Sequence, residues 1–190
     1  MLKEIEKYAK EKNIPIIEKE GMEFLKNIVK ENNVKNILEI GTAIGYSAIN
    51  MSLIDKDIKI ITIERDYIRY QEAINNIKLF KLENRIKVIN QDALDINLTN
   101  QFDLIFIDAA KAQSIKFFNK FENNLKQKGI IITDNLSFHG LVEKQENLSR
   151  NLKQLVRKIN NYIEFLKENN NYITTFYSVG DGMSVSIKKK

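Results

Sequence analysis

The order of apolar segments predicts a single doubly wound α/β domain, a mostly parallel seven-stranded sheet with a C-terminal antiparallel hairpin. Three observations carry this. Five short apolar runs alternate with segments whose apolar residues recur at helical spacing, the pattern of a parallel sheet covered on both faces. A turn from Gly41 to Gly45 leads from the first run straight into a helical segment. Two further runs flank Gly180-Asp181-Gly182 near the C-terminus, a hairpin signal.

The elements follow in order. Leu2, Ile5 and Ala9 mark a short amphipathic helix that ends near Pro15. A second helix, Lys19 to Asn32, carries Met22, Leu25, Ile28 and Val29 on one face. Lys35 to Ile40 is the first strand, and Tyr46 to Leu53 the helix after the glycine turn. Ile58 to Glu64 is the second strand, and Tyr67 to Lys81 a helix with Ile74, Ile77 and Phe80 inward. Arg85 to Asn90, Phe102 to Asp108 and Lys128 to Asp134 are the next three strands, the last two joined by a helix over Ala112 to Leu125. A long helix from Glu146 to Lys167 aligns Leu152, Leu155, Val156, Ile159, Ile163 and Leu166. Strands Tyr172 to Ser178 and Met183 to Lys188 close the chain. Residues 1–33 would form N-terminal helices on a core spanning 34–190.

Composition narrows the chemistry. A chain of 190 residues is most simply one domain. There is no cysteine, which removes disulfides, zinc-thiolate sites and thiol nucleophiles. One histidine is too few for a multi-histidine metal site. The mixed charges of Met1 to Lys7 lack the apolar stretch of a signal peptide, and no run reaches the roughly 20 apolar residues of a membrane span. A cytoplasmic protein with no membrane partner is expected. The net charge of +5 permits a polyanionic partner without demanding one.

Two strand ends carry acids. Asp108 closes Phe102-Asp103-Leu104-Ile105-Phe106-Ile107, and Asp134 closes Gly129-Ile130-Ile131-Ile132-Thr133 with Asn135 after it. Only one helix-length segment separates these runs, so the strands should be parallel neighbours with the acids about 5 Å apart at the carboxyl edge. Two octahedral Mg²⁺ ligands at about 2.1 Å each can span that distance. Asp103, which opens its strand, reads as structural.

The glycine turn lies on the same edge. Open α/β sheets bind ligands there, near the topological switch point. Glu64 ends the second strand, where an acid would hydrogen-bond ribose hydroxyls. A nicotinamide fingerprint would need glycine where Ala43 stands and glycine or alanine where Tyr46 stands. No Gly-Lys-Ser/Thr for a nucleoside triphosphate is present. A ligand with a ribose but no pyrophosphate fits better, and S-adenosylmethionine is one.

These residues resemble a known family. Glu39-Ile40-Gly41 with Gly45-Tyr46-Ser47, Ile63-Glu64, Asp92-Ala93, Ile107-Asp108-Ala109 with Lys111, Asp134-Asn135 and Gly180-Asp181-Gly182 occur in one order from about Ile14 to the C-terminus. They resemble the cation-dependent catechol-type (caffeoyl-CoA/catechol) O-methyltransferases, with a Rossmann-like methyltransferase domain. The short form looks most like the bacterial tRNA 5-hydroxyuridine methyltransferases. The resemblance implies that Gly41, Thr42, Ala43 and Gly45 cradle the methionine part of S-adenosylmethionine, with Ser47 on its carboxylate. It implies Glu64 on the ribose, Asp92 and Ala93 along the adenine, and Asp108 beside the cofactor. It also implies Asp108, Asp134 and Asn135 as ligands of Mg²⁺ or a similar cation, and Lys111 as general base. Gln91 stands where relatives usually have glycine. Relatives are commonly homodimers.

Such a site would move a methyl group to a hydroxyl with a vicinal oxygen, a geometry that catechols and 5-hydroxyuridine share. A metal-bound hydroxyl is more acidic, and a neutral lysine nearby can take its proton. The expected substrate is 5-hydroxyuridine in tRNA, and the alternative a small catechol or phenol. A NAD-dependent oxidoreductase is disfavoured by Ala43 and Tyr46, and a non-catalytic RNA-binding protein would leave Lys111 and Asp134-Asn135 unexplained. His139 reads as a loop histidine near the metal side, and Asp181 as a hairpin-turn residue. Arg150, Lys153 and Arg157 lie opposite the apolar stripe of the last helix; they read first as a solvated face, across which a phosphate backbone could also lie.

Overall fold

The computed structural model describes residues 1–136 and 149–189. Its sheet has seven strands: β1 Asn36–Ile40, β2 Lys59–Glu64, β3 Ile86–Asn90, β4 Phe102–Ile107, β5 Leu125–Thr133, β6 Tyr172–Tyr177 and β7 Met183–Lys188, in the order β3-β2-β1-β4-β5-β7-β6. The first five are parallel, and β7 and β6 add to β5 as an antiparallel hairpin. The strand order reverses between β1 and β4, so a crevice opens at the carboxyl ends of those two strands.

The helices are α1 Leu2–Glu11, α2 Lys19–Glu31, α3 Tyr46–Ser52, α4 Tyr67–Leu79, α5 Ser114–Phe121 and α6 Arg150–Glu168. Successive strand residues point to opposite faces, and the core is accordingly split in two. Ile37, Leu104, Phe106 and Ile132 pack with Leu25 of α2, Ile49 of α3 and Ile77 of α4. Leu38, Ile40, Ile105 and Ile131 pack with Phe117 and Phe118 of α5 and Tyr162 and Leu166 of α6. Phe118 is fully buried and meets Phe165 and Tyr172 edge-on at 5.2 and 4.9 Å.

Two local readings are corrected. The segment expected as one helix over Ala112 to Leu125 is a 3₁₀ turn at Lys111–Gln113, α5, and a second 3₁₀ turn at Glu122–Asn124. Leu125 already belongs to β5: it is buried beside its partner Phe102, and a register shift before Leu104 absorbs the extra residues. Lys126 then reaches Asp103 at 2.7 Å. Asp103 also accepts from the amides of Lys35 and Asn36, so its structural reading holds. In α4 Ala73 and Ile77 are buried, and Phe80 at its C-cap packs against the same core, while Ile74 is half-buried.

The long C-terminal helix is described from Arg150, capped by Ser149, whose hydroxyl accepts from the Leu152 amide. Glu146, His139 and most of the Leu136 to Gln145 loop lie outside the described residues. No helix among the described residues is long and apolar enough to cross a membrane.

Candidate active site at the carboxyl edge of the sheet

Gly41 follows β1 with φ +100, and a Cβ there would lie 2.1 Å from the Asp108 carbonyl oxygen. Only glycine lets the end of β1 approach the end of β4 this closely. The Asp108 amide donates to the Ile40 carbonyl at 2.9 Å, and the Gly41 amide to Ile63 at 3.0 Å. Ala43 and Gly45 continue the turn at positive φ, and Gly45 leads into α3.

Glu64 is 7% exposed at the end of β2. One of its oxygens accepts from the Ala43 amide at 2.8 Å and the other from the Asp66 amide at 2.9 Å. This fixes the carboxylate against the glycine turn, with lone pairs left for a ligand's hydroxyls. Asp92 accepts from the Leu94 amide at 2.9 Å, and Ala93 is buried after β3.

Ser47 stands in the cleft wall and is tied to the strand behind it. Its hydroxyl proton is donated to Glu39, a fully buried glutamate of β1. The other Glu39 oxygen accepts from Thr62, which shares a 2.6 Å hydrogen bond with Thr42. Burial pushes the Glu39 carboxyl up to about 7, against the lowering effect of its Ser47 and Thr62 partners. This chain of hydroxyls, buried behind the turn, was not anticipated. Its one sequence signal is an acid inside the otherwise apolar run Ile37-Leu38-Glu39-Ile40.

The strand-end acids lie as expected on adjacent strands, with Ile107 opposite Thr133. The Asn135 side-chain amide donates to Asp108 at 3.1 Å and to Asp134 at 3.2 Å. Asn135 holds this position from the left-handed region, at φ 61, which asparagine tolerates better than most residues. Lys111 binds the same Asp108 oxygen at 3.0 Å, with only 11% of its side chain exposed.

Asp134 is 2% exposed. Burial first, and then repulsion from Asp108, hold its carboxyl well above the usual range; Asp181, in the β6–β7 turn, adds to this. Asp181 is thus more than a hairpin residue, since its charge acts on the strand-end pair.

Two crowded carboxylates on one amide are a donor set that a hard cation fits. With the amide turned over, a choice that hydrogen-bond networks decide, Asn135 would add a carbonyl oxygen, and all-oxygen sets suit Mg²⁺. Among the described residues no group of three or more His, Cys, Asp or Glu converges, so the candidate centre is these two acids and the amide.

A cleft of about 700 Å³ joins these parts, a size that accommodates a nucleoside-sized ligand. Gly41, Thr42, Ala43, Ser47, Glu64, Asp92, Ala93, Asp108, Lys111 and Asn135 line it. Gly45 and Asp134 are not in that wall; the first shapes the turn and the second is buried. Pro15 to Glu18 and Arg65, in connections that strand and helix periodicity does not specify, line it as well, with Arg69 of α4 and Leu155 of α6.

The family model for O-methyltransferases matches residues 1–189. A crystal structure from Staphylococcus aureus, provisionally assigned as a caffeoyl-CoA O-methyltransferase, superposes with a TM-score of 0.94 at 40% identity, covering 98% of this chain and 91% of that one. The Bacillus cereus O-methyltransferase in complex with S-adenosylhomocysteine superposes with a TM-score of 0.85 at 26% identity, over 99% and 90% of the two chains. The catechol O-methyltransferase of Niastella koreensis is 33% identical over 145 residues, 72% of this chain and 65% of that one. With a Rossmann-like sheet and a cleft built from its switch point, the chain belongs to the O-methyltransferase family, as an S-adenosylmethionine-dependent enzyme of the caffeoyl-CoA/catechol type.

Proposed function

We propose that this enzyme is cation-dependent and methylates a hydroxyl that has a vicinal oxygen, with 5-hydroxyuridine in tRNA as its substrate. The observation that carries the reading is the convergence of Asn135 and Lys111 on Asp108 beside the buried Asp134. Asp108, Asp134 and Asn135 would hold the cation. When bound, such a cation supplies positive charge that orients and acidifies the substrate hydroxyl.

The chain's own residues do the rest. The turn from Gly41 to Gly45 receives the methionine part of the donor, with Ser47, positioned by Glu39, on its carboxylate. Glu64 accepts from the ribose hydroxyls, and Asp92 and Ala93 flank the adenine. Lys111, in its neutral form beside Asp108, would take the hydroxyl proton as the oxygen attacks the methyl carbon. The new O–CH₃ bond forms as the S–CH₃ bond breaks, which returns the sulfonium to a thioether. The second reading is a small catechol, the substrate class named for the Niastella relative.

A methyl-transfer assay comparing hypomodified tRNA with a catechol panel decides between them. Methylation of tRNA at 5-hydroxyuridine is expected, and turnover of catechols alone would replace it with the second reading. In the same assay Asp134→Ala should lose cation-dependent turnover while binding S-adenosylhomocysteine normally by calorimetry. Full activity of that variant in chelator would refute the metal centre.

A further inference from the structure

We propose that the outer face of α6 is an RNA-docking surface, on which Arg150, Lys153 and Arg157 take the phosphodiester backbone of the substrate. The proposal rests on the tRNA reading of the site and adds the surface that would hold the polymer. Arg150, Lys153, Gln154 and Arg157 border an open groove of about 450 Å³. The three cations fall at i, i+3 and i+7, one stripe about 10 Å long. The opposite face, Val156, Ile159, Tyr162 and Leu166, is buried.

Charge on this helix is segregated. From Arg150 to Ile163 it carries four cations, counting Lys158, and no acid; Glu164 and Glu168 come only at its end. Some basic side chains elsewhere are paired, as Lys26 is with Glu23, Lys35 with Asp55 and Lys126 with Asp103. Among the described residues no carboxylate pairs with Arg150, Lys153 or Arg157.

Helix stability does not favour this placement either. The first turn holds no acid and begins with an arginine, where the helix dipole favours negative charge. An external polyanion would favour it. Arginine and lysine bind phosphates without reading sequence, which positions a polymer while another site selects the base.

The same helix borders the cleft from its other side. Leu155, between Lys153 and Arg157, lines the cleft together with Lys111 and Asp108. The helix also packs on the turn Lys111–Gln113. RNA held along the outer face of α6 would therefore lie about one helix diameter, roughly 10 Å, from the cleft wall.

The test compares the intact protein with Arg150→Ala/Lys153→Ala/Arg157→Ala in binding unmodified tRNA, by fluorescence anisotropy over a salt series. The triple variant should bind at least about ten-fold more weakly near 0.1 M salt. Its slope of log K against log salt should be shallower by about 2 to 3, the share of three phosphate contacts. Calorimetry with S-adenosylhomocysteine and circular dichroism should be unchanged, which separates docking from folding.

Equal affinity and slope in the two proteins would overturn the surface. Wild-type protein that does not bind tRNA would overturn both the surface and the substrate reading. Stripe-dependent binding without methyl transfer to the RNA would uphold the surface and refute only the substrate.

Discussion

Glu39 shows what a single residue does behind a cofactor turn. Its two oxygens tie Ser47 of α3 to Thr62 of β2, and through Thr62 to Thr42 in the turn itself. The residue is legible in the sequence as an acid out of place. Its partners are not, because Thr62 becomes its neighbour only through the β1–β2 register. Glu39→Ala should leave two buried hydroxyls, those of Ser47 and Thr62, without their shared partner and cost about 3 kcal/mol or more in urea unfolding. It should also raise KM for S-adenosylmethionine more than it lowers kcat. Glu39→Gln keeps an acceptor for Ser47 and a donor toward Thr62, so it should fold and bind nearly as wild type.

The glutamine variant also has a pH signature. Because burial raises the folded carboxyl from 4.5 to about 7, the folded state holds the proton more tightly than the unfolded chain. The stability this contributes is complete below about 4.5 and is lost as pH rises through about 7. Relative to wild type, Glu39→Gln should therefore gain on the order of 3 kcal/mol between those limits. A constant difference across that range would refute a neutral buried Glu39. Lys111→Ala, by contrast, should lower kcat by about 10²- to 10⁴-fold and spare S-adenosylhomocysteine binding; undiminished kcat would remove it as the base.

At the scale of the element, the strand ends were the most readable part of the chain. The runs ending in Asp108 and Asp134 are continuous apolar segments bounded by polar residues, and parallel pairing follows from the helical segment between them. The start of β5 was not readable. Leu125 reads as the end of a helix and the strand pattern begins only at Lys128, whereas the register shift opposite Phe102 and the Lys126–Asp103 pair make Leu125 to Gln127 strand as well. Gly41 is where two strand ends meet, since its missing side chain admits the Asp108 carbonyl. Gly41→Ala combines a positive φ with that clash, so it should cost at least about 2 kcal/mol of stability. It should weaken S-adenosylhomocysteine binding in the same protein, because separating β1 from β4 opens the turn. Unchanged affinity would mean that the turn does not hold the donor.

For the whole molecule, alternating strands and helices were enough to foresee the doubly wound sheet and the edge on which the site lies. They did not reveal that Pro15 to Glu18 form one wall of the cleft. Pro15 reads locally as the end of a helix, and its role depends on how α1 is fastened from afar. Three polar ties do this: the Tyr46 hydroxyl donates to Glu6 at 2.8 Å, Lys19 pairs with Glu6 at 3.2 Å, and the Tyr8 hydroxyl donates to Glu72. Ile5 and Ala9 bury the apolar side of α1 in the same core as Tyr46 and Ile49. The pairs at Glu6 and Glu72 involve partly exposed side chains and add little individually; the buried Ile5 and Ala9 supply most of the hold. Removing residues 1–13 should therefore lower Tm and weaken S-adenosylhomocysteine binding together, because the wall at 15–18 loses its anchor. Tyr46→Phe, which removes one tie and keeps the ring, should cost only about 1 kcal/mol and leave that binding nearly intact. If the truncated chain binds S-adenosylhomocysteine as tightly as the whole one, the N-terminal wall belongs to the fold and not to the donor site.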